Sequence, residues 1–207
     1  AVSLNPRLSS AWISLGLLAE IQGDLPGAER RLLEAARMDK TYEPCWTLAN
    51  FYFRRGDAEK FWPWARQAAA MAYSDQTSLF RLCWRVTQDA GIILSRAIPD
   101  QPQALAQYLS FLIRQDRLDA AGPVGERLAA RSAAESKFLL LGYCDRLIAA
   151  ARPGQALRLW NALCERGIVP ARPLAPLEGQ SLTNAGFSNP PLEAGFEGAF
   201  RFRGRKS

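Results

Sequence analysis

Trp46, Asn50 and Arg54 recur every four residues, so on a helix they form one stripe. A planar aromatic, an amide and a guanidinium in line can hold a peptide backbone or a carboxylate through stacking, hydrogen bonds and charge. The next segment offers Arg81, Arg85 and Gln88 at similar spacing, and a later one offers Gln107 and Arg114. If these residues line one continuous groove, the groove is basic and suits an acidic peptide tail or an anionic glycan. The competing structural account is plain: Trp46 packs against a neighbouring helix and the arginines are solvated.

Catalytic chemistry has little to work with. The chain holds no histidine, which removes the commonest general base, the usual Ser and Cys triads and most transition-metal sites. Cys45, Cys83, Cys144 and Cys164 are widely spaced in apolar surroundings, which reads as buried free thiols; a single disulfide is the alternative in an oxidising compartment. Asp116 with Asp119, and Glu126 with Glu135, are carboxylate pairs that fall on turns or exposed faces, and no glycine-rich phosphate loop is present. No catalytic residue, cofactor or metal site is expected. The net charge of +6 comes from 26 basic and 20 acidic side chains. The basic residues are spread along the chain rather than gathered, so an anionic partner is only mildly favoured. No apolar run approaches the roughly 18 residues of a membrane span.

The elements that must position these residues are helical hairpins. Trp12, Leu15, Gly16, Gly23, Ala28, Leu32 and Ala35 set the first, with helices over 9–22 and 25–39 and Gly23-Asp24 as the turn. The pattern returns 33 residues later, as Leu48, Gly56, Phe61, Ala65 and Ala68, with Gly56-Asp57 at the turn. Beyond residue 73 it loosens: 74–91 reads as one capped helix, and 91–98 as a shortened partner ended by Pro99. A third hairpin is expected over 102–115 and 117–130, with Asp116 and Ala121 spaced like Gly23 and Ala28, and a fourth over 134–151 and 153–166 with Pro153-Gly154 as its turn. The segment 167–207 is rich in proline and glycine and has no helical period. It is expected to be irregular, lying on the last hairpin through Leu174, Leu177, Phe187 and Phe196. The aromatic cluster Phe51, Tyr52, Phe53, Phe61, Trp62 and Trp64 reads mostly as core, with Trp62 or Trp64 as the exception that faces out.

The spacing Trp12-x₂-Leu15-Gly16, then Gly23, Ala28, Leu32 and Ala35, resembles the tetratricopeptide repeat. That resemblance implies an all-α α-solenoid of stacked antiparallel hairpins over 1–166, and a non-enzymatic scaffold that binds a protein or peptide in a concave groove. In that family the first helix of each repeat lines the groove. The matching positions are Ser10, Ile13, Leu17, Glu20 and Ile21 in the first repeat, and Glu43, Trp46, Asn50, Phe53 and Arg54 in the second. Asn50 matches the asparagine of the family's carboxylate-binding members; the lysines that accompany it there have no counterpart. In the same register, A-V-S-L-N-P at 1–6 is similar to the end of a repeat, so the chain is expected to begin inside one, and Val2, Leu4 and Leu8 to cover an exposed helix face or a second copy.

WTLANFYFRRGD (46–57), FWPWAR (61–66), LFRLCWRVT (79–87), IPDQP (98–102), YLSFL (108–112) and ALRLWNALCERGIVP (156–170) are similar to a group of bacterial envelope-associated tetratricopeptide proteins. There the array follows membrane-anchoring segments and precedes a β-sandwich. SLTNAGFSNPPLEAGF (181–196) is similar to the segment that opens the sandwich, but only 11 residues follow Phe196, so the gene is expected to be truncated or shifted in frame, or the β domain to lie outside this chain. The resemblance implies membrane association through segments outside this chain, an envelope rather than cytoplasmic location, and a polysaccharide-related assembly. ALRLWNALCERGIVP also resembles the end of a pentatricopeptide motif, which implies single-stranded RNA binding, but only one unit fits. The alternatives to a peptide-binding scaffold are therefore an RNA- or anionic-polymer-binding solenoid, or an accessory domain of an enzyme whose catalytic part lies elsewhere.

Overall fold

Two glycine-aspartate pairs show how the first two helical hairpins turn. In the computed structural model, which describes residues 8–71, 75–131, 135–176 and Gly195, there are ten helices and no strand among the described residues. Gly23 and Gly56 adopt φ of +82° and +69°, which an L side chain rarely takes, and each ends a helix. The aspartate that follows caps the next helix: Asp24 Oδ1 accepts from the Gly27 amide at 2.9 Å, and Asp57 Oδ1 from the Lys60 amide at 3.0 Å.

The chain divides into two compact units, Ala1–Pro99 and Asp100–Ser207. The first holds α1 (Ser9–Ile21), α2 (Leu25–Met38), α3 (Tyr42–Arg54), α4 (Ala58–Met71), α5 (Thr77–Val86) and α6 (Ala90–Arg96). Helices α1 and α2 pair, α3 and α4 pair, α2 packs on α3, and α4 packs on α5 and α6. The α1–α2 crossing is close: a Cβ on Gly16 would lie 2.6 Å from Leu32 Cδ2. Ala28, Leu32 and Ala35, with Ala65 and Ala68 in register, are buried, as the small and large positions of the spacing require.

One position breaks the equivalence. Leu15 and Leu18 remain 39% and 49% exposed, whereas Leu48 and Phe51, 33 residues on, are 0% and 2% exposed. Helix α3 receives α2 on that side; among the described residues no helix covers α1 there. Leu8 is itself 44% exposed, and Val2 and Leu4 lie outside the described residues.

The expected helix over 74–91 and its shortened partner over 91–98 are both present, as α5 and α6, but the first ends five residues early. α5 stops at Val86, Thr87 turns extended, and Asp89 Oδ1 caps α6 by accepting from the Gly91 and Ile92 amides at 2.8 and 3.0 Å. Phe51, Tyr52, Phe61 and Trp62 are buried and Trp64 is half-buried. Trp62 is thus core, and of the two tryptophans only Trp64 is partly open.

The second unit holds α7 (Pro102–Arg114), α8 (Leu118–Arg131), α9 (Lys137–Ala149) and α10 (Pro153–Glu165). α7 pairs with α8, α9 with α10, and α10 also packs on α8. Asp116 takes the left-handed place of the turn glycine, at φ +54°, with its carboxylate 2.9 Å from Arg146. In the last hairpin the turn is not Pro153-Gly154. Ala151 carries the positive φ of +56°, and Pro153 opens α10, where its missing N–H costs nothing. Leu174 lies on this hairpin as expected: Asn161 accepts from its amide at 2.7 Å and donates to its carbonyl at 2.8 Å. Leu177, Phe187 and Phe196 lie outside the described residues.

All four cysteines are buried and free, and burial pushes the Cys83 and Cys144 thiols up to about 12. No helix among the described residues is long and apolar enough to cross a membrane.

Candidate functional site

Burial of Cys45, Leu48, Ala49 and Tyr52 fixes the rotation of α3 and leaves Trp46, Asn50, Phe53 and Arg54 on its more open side. Trp46 is half-buried and stacks on Tyr42, ring centroids 6.0 Å apart and planes within 12°. Burial raises the Tyr42 phenol above its ordinary value, so it stays neutral beside the indole. The Asn50 amide turns back on its own helix and donates to the Trp46 carbonyl at 2.9 Å, which spends one of its two amide hydrogens.

Arg54 is the best-anchored member of the stripe. Its Nε and Nη2 donate to the two carboxylate oxygens of Glu20 at 2.8 and 2.7 Å, a fork-to-fork pair that ties α3 to α1. A carboxylate ligand would have to share or displace Glu20. Phe53 is half-buried and carries the Arg85 guanidinium 4.8 Å from its ring centroid, a cation–π contact that links α3 to α5. Arg81 and Arg85 lie one turn apart on α5 and are exposed. Gln88 is exposed but lies beyond the Thr87 cap, so it does not continue their helical stripe. Gln107 and Arg114 belong to the other unit, on α7, with Gln107 half-buried and Arg114 exposed. The Gln107 Oε1 is buried with no hydrogen-bond partner, an acceptor left unspent.

In the first unit the structure brings together residues that the chosen stripe did not include. Leu17 and Ile21 occupy on α1 the register of Asn50 and Arg54 on α3, and they are 37% and 82% exposed. They flank Glu20, the α1 residue that Arg54 holds, while Tyr42 stacks on Trp46 at the other end of the α3 stripe. The sequence signal for the two aliphatics was their register; no signal marked Glu20 as the partner of Arg54.

A separate polar cleft of about 160 Å³ lies where Glu29, Tyr52 and Lys60 meet. Tyr52 and Lys60 both donate to Glu29 Oε1 at 2.8 Å. The Lys60 bond, then the Tyr52 bond, holds the Glu29 carboxyl below its usual range. In the second unit Asp119 is likewise engaged: hydrogen bonds from Gln155 and then Arg152 keep it below its ordinary value. No local pattern announces that perturbation, and it runs opposite to what a general acid needs.

No protein-family model matches the chain, and no curated protein matches it.

Proposed function

We propose that this chain is a non-enzymatic scaffold of the tetratricopeptide type, whose first unit holds an extended peptide or protein segment across α1, α3 and α5. The observation that carries the reading is the Glu20–Arg54 fork. It fixes the Arg54 guanidinium against α1, on the helix that also carries the Trp46–Tyr42 stack, while exposed Leu17 and Ile21 flank Glu20 along α1. Such a surface offers an aromatic face, a side-chain amide, a fixed charge and an aliphatic edge. That mixture suits a peptide with at least one apolar anchor. Placement in a bacterial envelope or polysaccharide-related assembly is supported by the resemblance of residues 40–196 alone.

The test is selection from a random peptide library against the whole chain, followed by affinity measurement with Asn50→Ala/Arg54→Ala. Selected peptides are expected to lose about tenfold or more, the equivalent of roughly 1.4 kcal/mol. Equal binding by the double variant contradicts the site. Salt separates the RNA or anionic-polymer reading, which rests on exposed Arg81 and Arg85. Polymer binding falls steeply between low and moderate salt, whereas an apolar-anchored peptide loses little.

A further inference from the structure

The second unit contains a seat built for a glycine. Leu141 and Asp145 stand one turn apart on α9, and Trp160 on α10 is fully buried. Gly195, which is buried, rests against all three. Its amide donates to Asp145 Oδ1 at 2.6 Å, and a Cβ in its place would lie 2.5 Å from Trp160 Cζ3, 2.9 Å from Cε3 and 3.6 Å from Leu141 Cδ2. Its φ is +64°.

Three demands therefore meet at one residue. The ring of Trp160 excludes any side chain, the left-handed backbone disfavours one, and the carboxylate needs a backbone N–H, which excludes proline. A partly desolvated carboxylate gains from that donor, since a carboxylate withdrawn from water without one is costly. None of this is needed to close the hairpin, because α9 and α10 already pack on each other.

We propose that Asp145, Leu141 and Trp160 form a peptide-docking site selective for glycine in the left-handed conformation, filled in this chain by its own Gly195. The ligand class is a peptide with a glycine at the contact point. The site lies in the other unit from the surface described under Proposed function, and neither claim depends on the other.

The test uses the full chain and a labelled peptide of residues 191–197, PLEAGFE. Tethering gives Gly195 a local concentration near the millimolar range, so the wild-type chain competes with added peptide. Gly195→Val vacates the seat. This variant should bind the peptide at least about tenfold more tightly than wild type, and Gly195→Val/Asp145→Ala should lose that gain. A peptide with alanine for the glycine should not bind. The Trp160 indole N–H signal should move between wild type and Gly195→Val, and move back as peptide is added. Circular dichroism confirms that each variant remains helical, and Gly195→Ala serves where Val does not. An unmoved indole signal overturns the proposal. So does equal binding of the glycine and alanine peptides, or a folded Gly195→Val chain that takes up no peptide.

Discussion

Arg54 illustrates how a residue chosen for its chemistry acquires a structural partner. Its fork on Glu20 is partly exposed, so removing it should cost little stability: Arg54→Ala is expected to lower unfolding free energy by at most about 1 kcal/mol. Peptide affinity should fall by far more than stability does. Urea denaturation and affinity measured on the same variant separate the two effects, and a stability loss that accounts for the affinity loss would remove Arg54 from the site. Glu29 gives a pH prediction. Its carboxyl lies below the ordinary value of 4.5 in the folded chain, so the stability it contributes is complete above that value. It is lost as pH falls through the depressed folded value. Glu29→Gln should therefore flatten the decline in melting temperature below that range. An unchanged acid limb would show that other carboxyls govern it. The stripe itself was legible from spacing at Trp46, Asn50 and Arg54. Glu20 was not, because its partner lies 34 residues away and no local pattern encodes the pair.

At the scale of the element, the hairpin turns show what the chain makes readable. Gly23-Asp24 and Gly56-Asp57 announce their turns, since glycine supplies the positive φ and aspartate the cap. The later turns place Asp116 and Ala151 in the same conformation; aspartate tolerates it and falls at the spacing of Gly23, whereas alanine at 151 gives no warning. The break at Thr87 was hidden for a related reason: apolar residues at 79, 82, 83 and 86 continue a helical period up to its last residue. Gly23→Ala should destabilise the first hairpin by about 1–2 kcal/mol, the cost of a left-handed L residue. A neutral change in thermal unfolding would contradict the turn assignment. The unequal leucines give a sharper test. Leu48→Ala removes a side chain with no exposure and should cost about 2–5 kcal/mol. Leu15→Ala, at the same register but partly exposed, should fall near the roughly 0.5 kcal/mol of a surface change. Similar losses at both would mean that something covers α1 as α2 covers α3.

For the molecule as a whole, the apolar period predicted paired helices, and the structure is helical in those spans, with α5 ending at Val86 instead of running on to 91. What composition overstated was the basic character of the candidate surface. Of the three arginines assigned to it in the first unit, Arg54 is paired with Glu20 and Arg85 is laid on Phe53, which leaves Arg81 exposed. The surface is accordingly less a cationic groove than a mixed one with exposed Leu17 and Ile21, and its binding should depend only weakly on salt. The most direct measurement is a titration of a library-selected peptide into the isotope-labelled chain, followed by the signals of the Trp46 indole, the Asn50 side-chain amide and the Arg54 Nε–H. The account predicts that these three move together, with methyl shifts at Leu17 and Ile21, and that Arg54→Ala abolishes the set. Saturation of the peptide with those signals unmoved would contradict it.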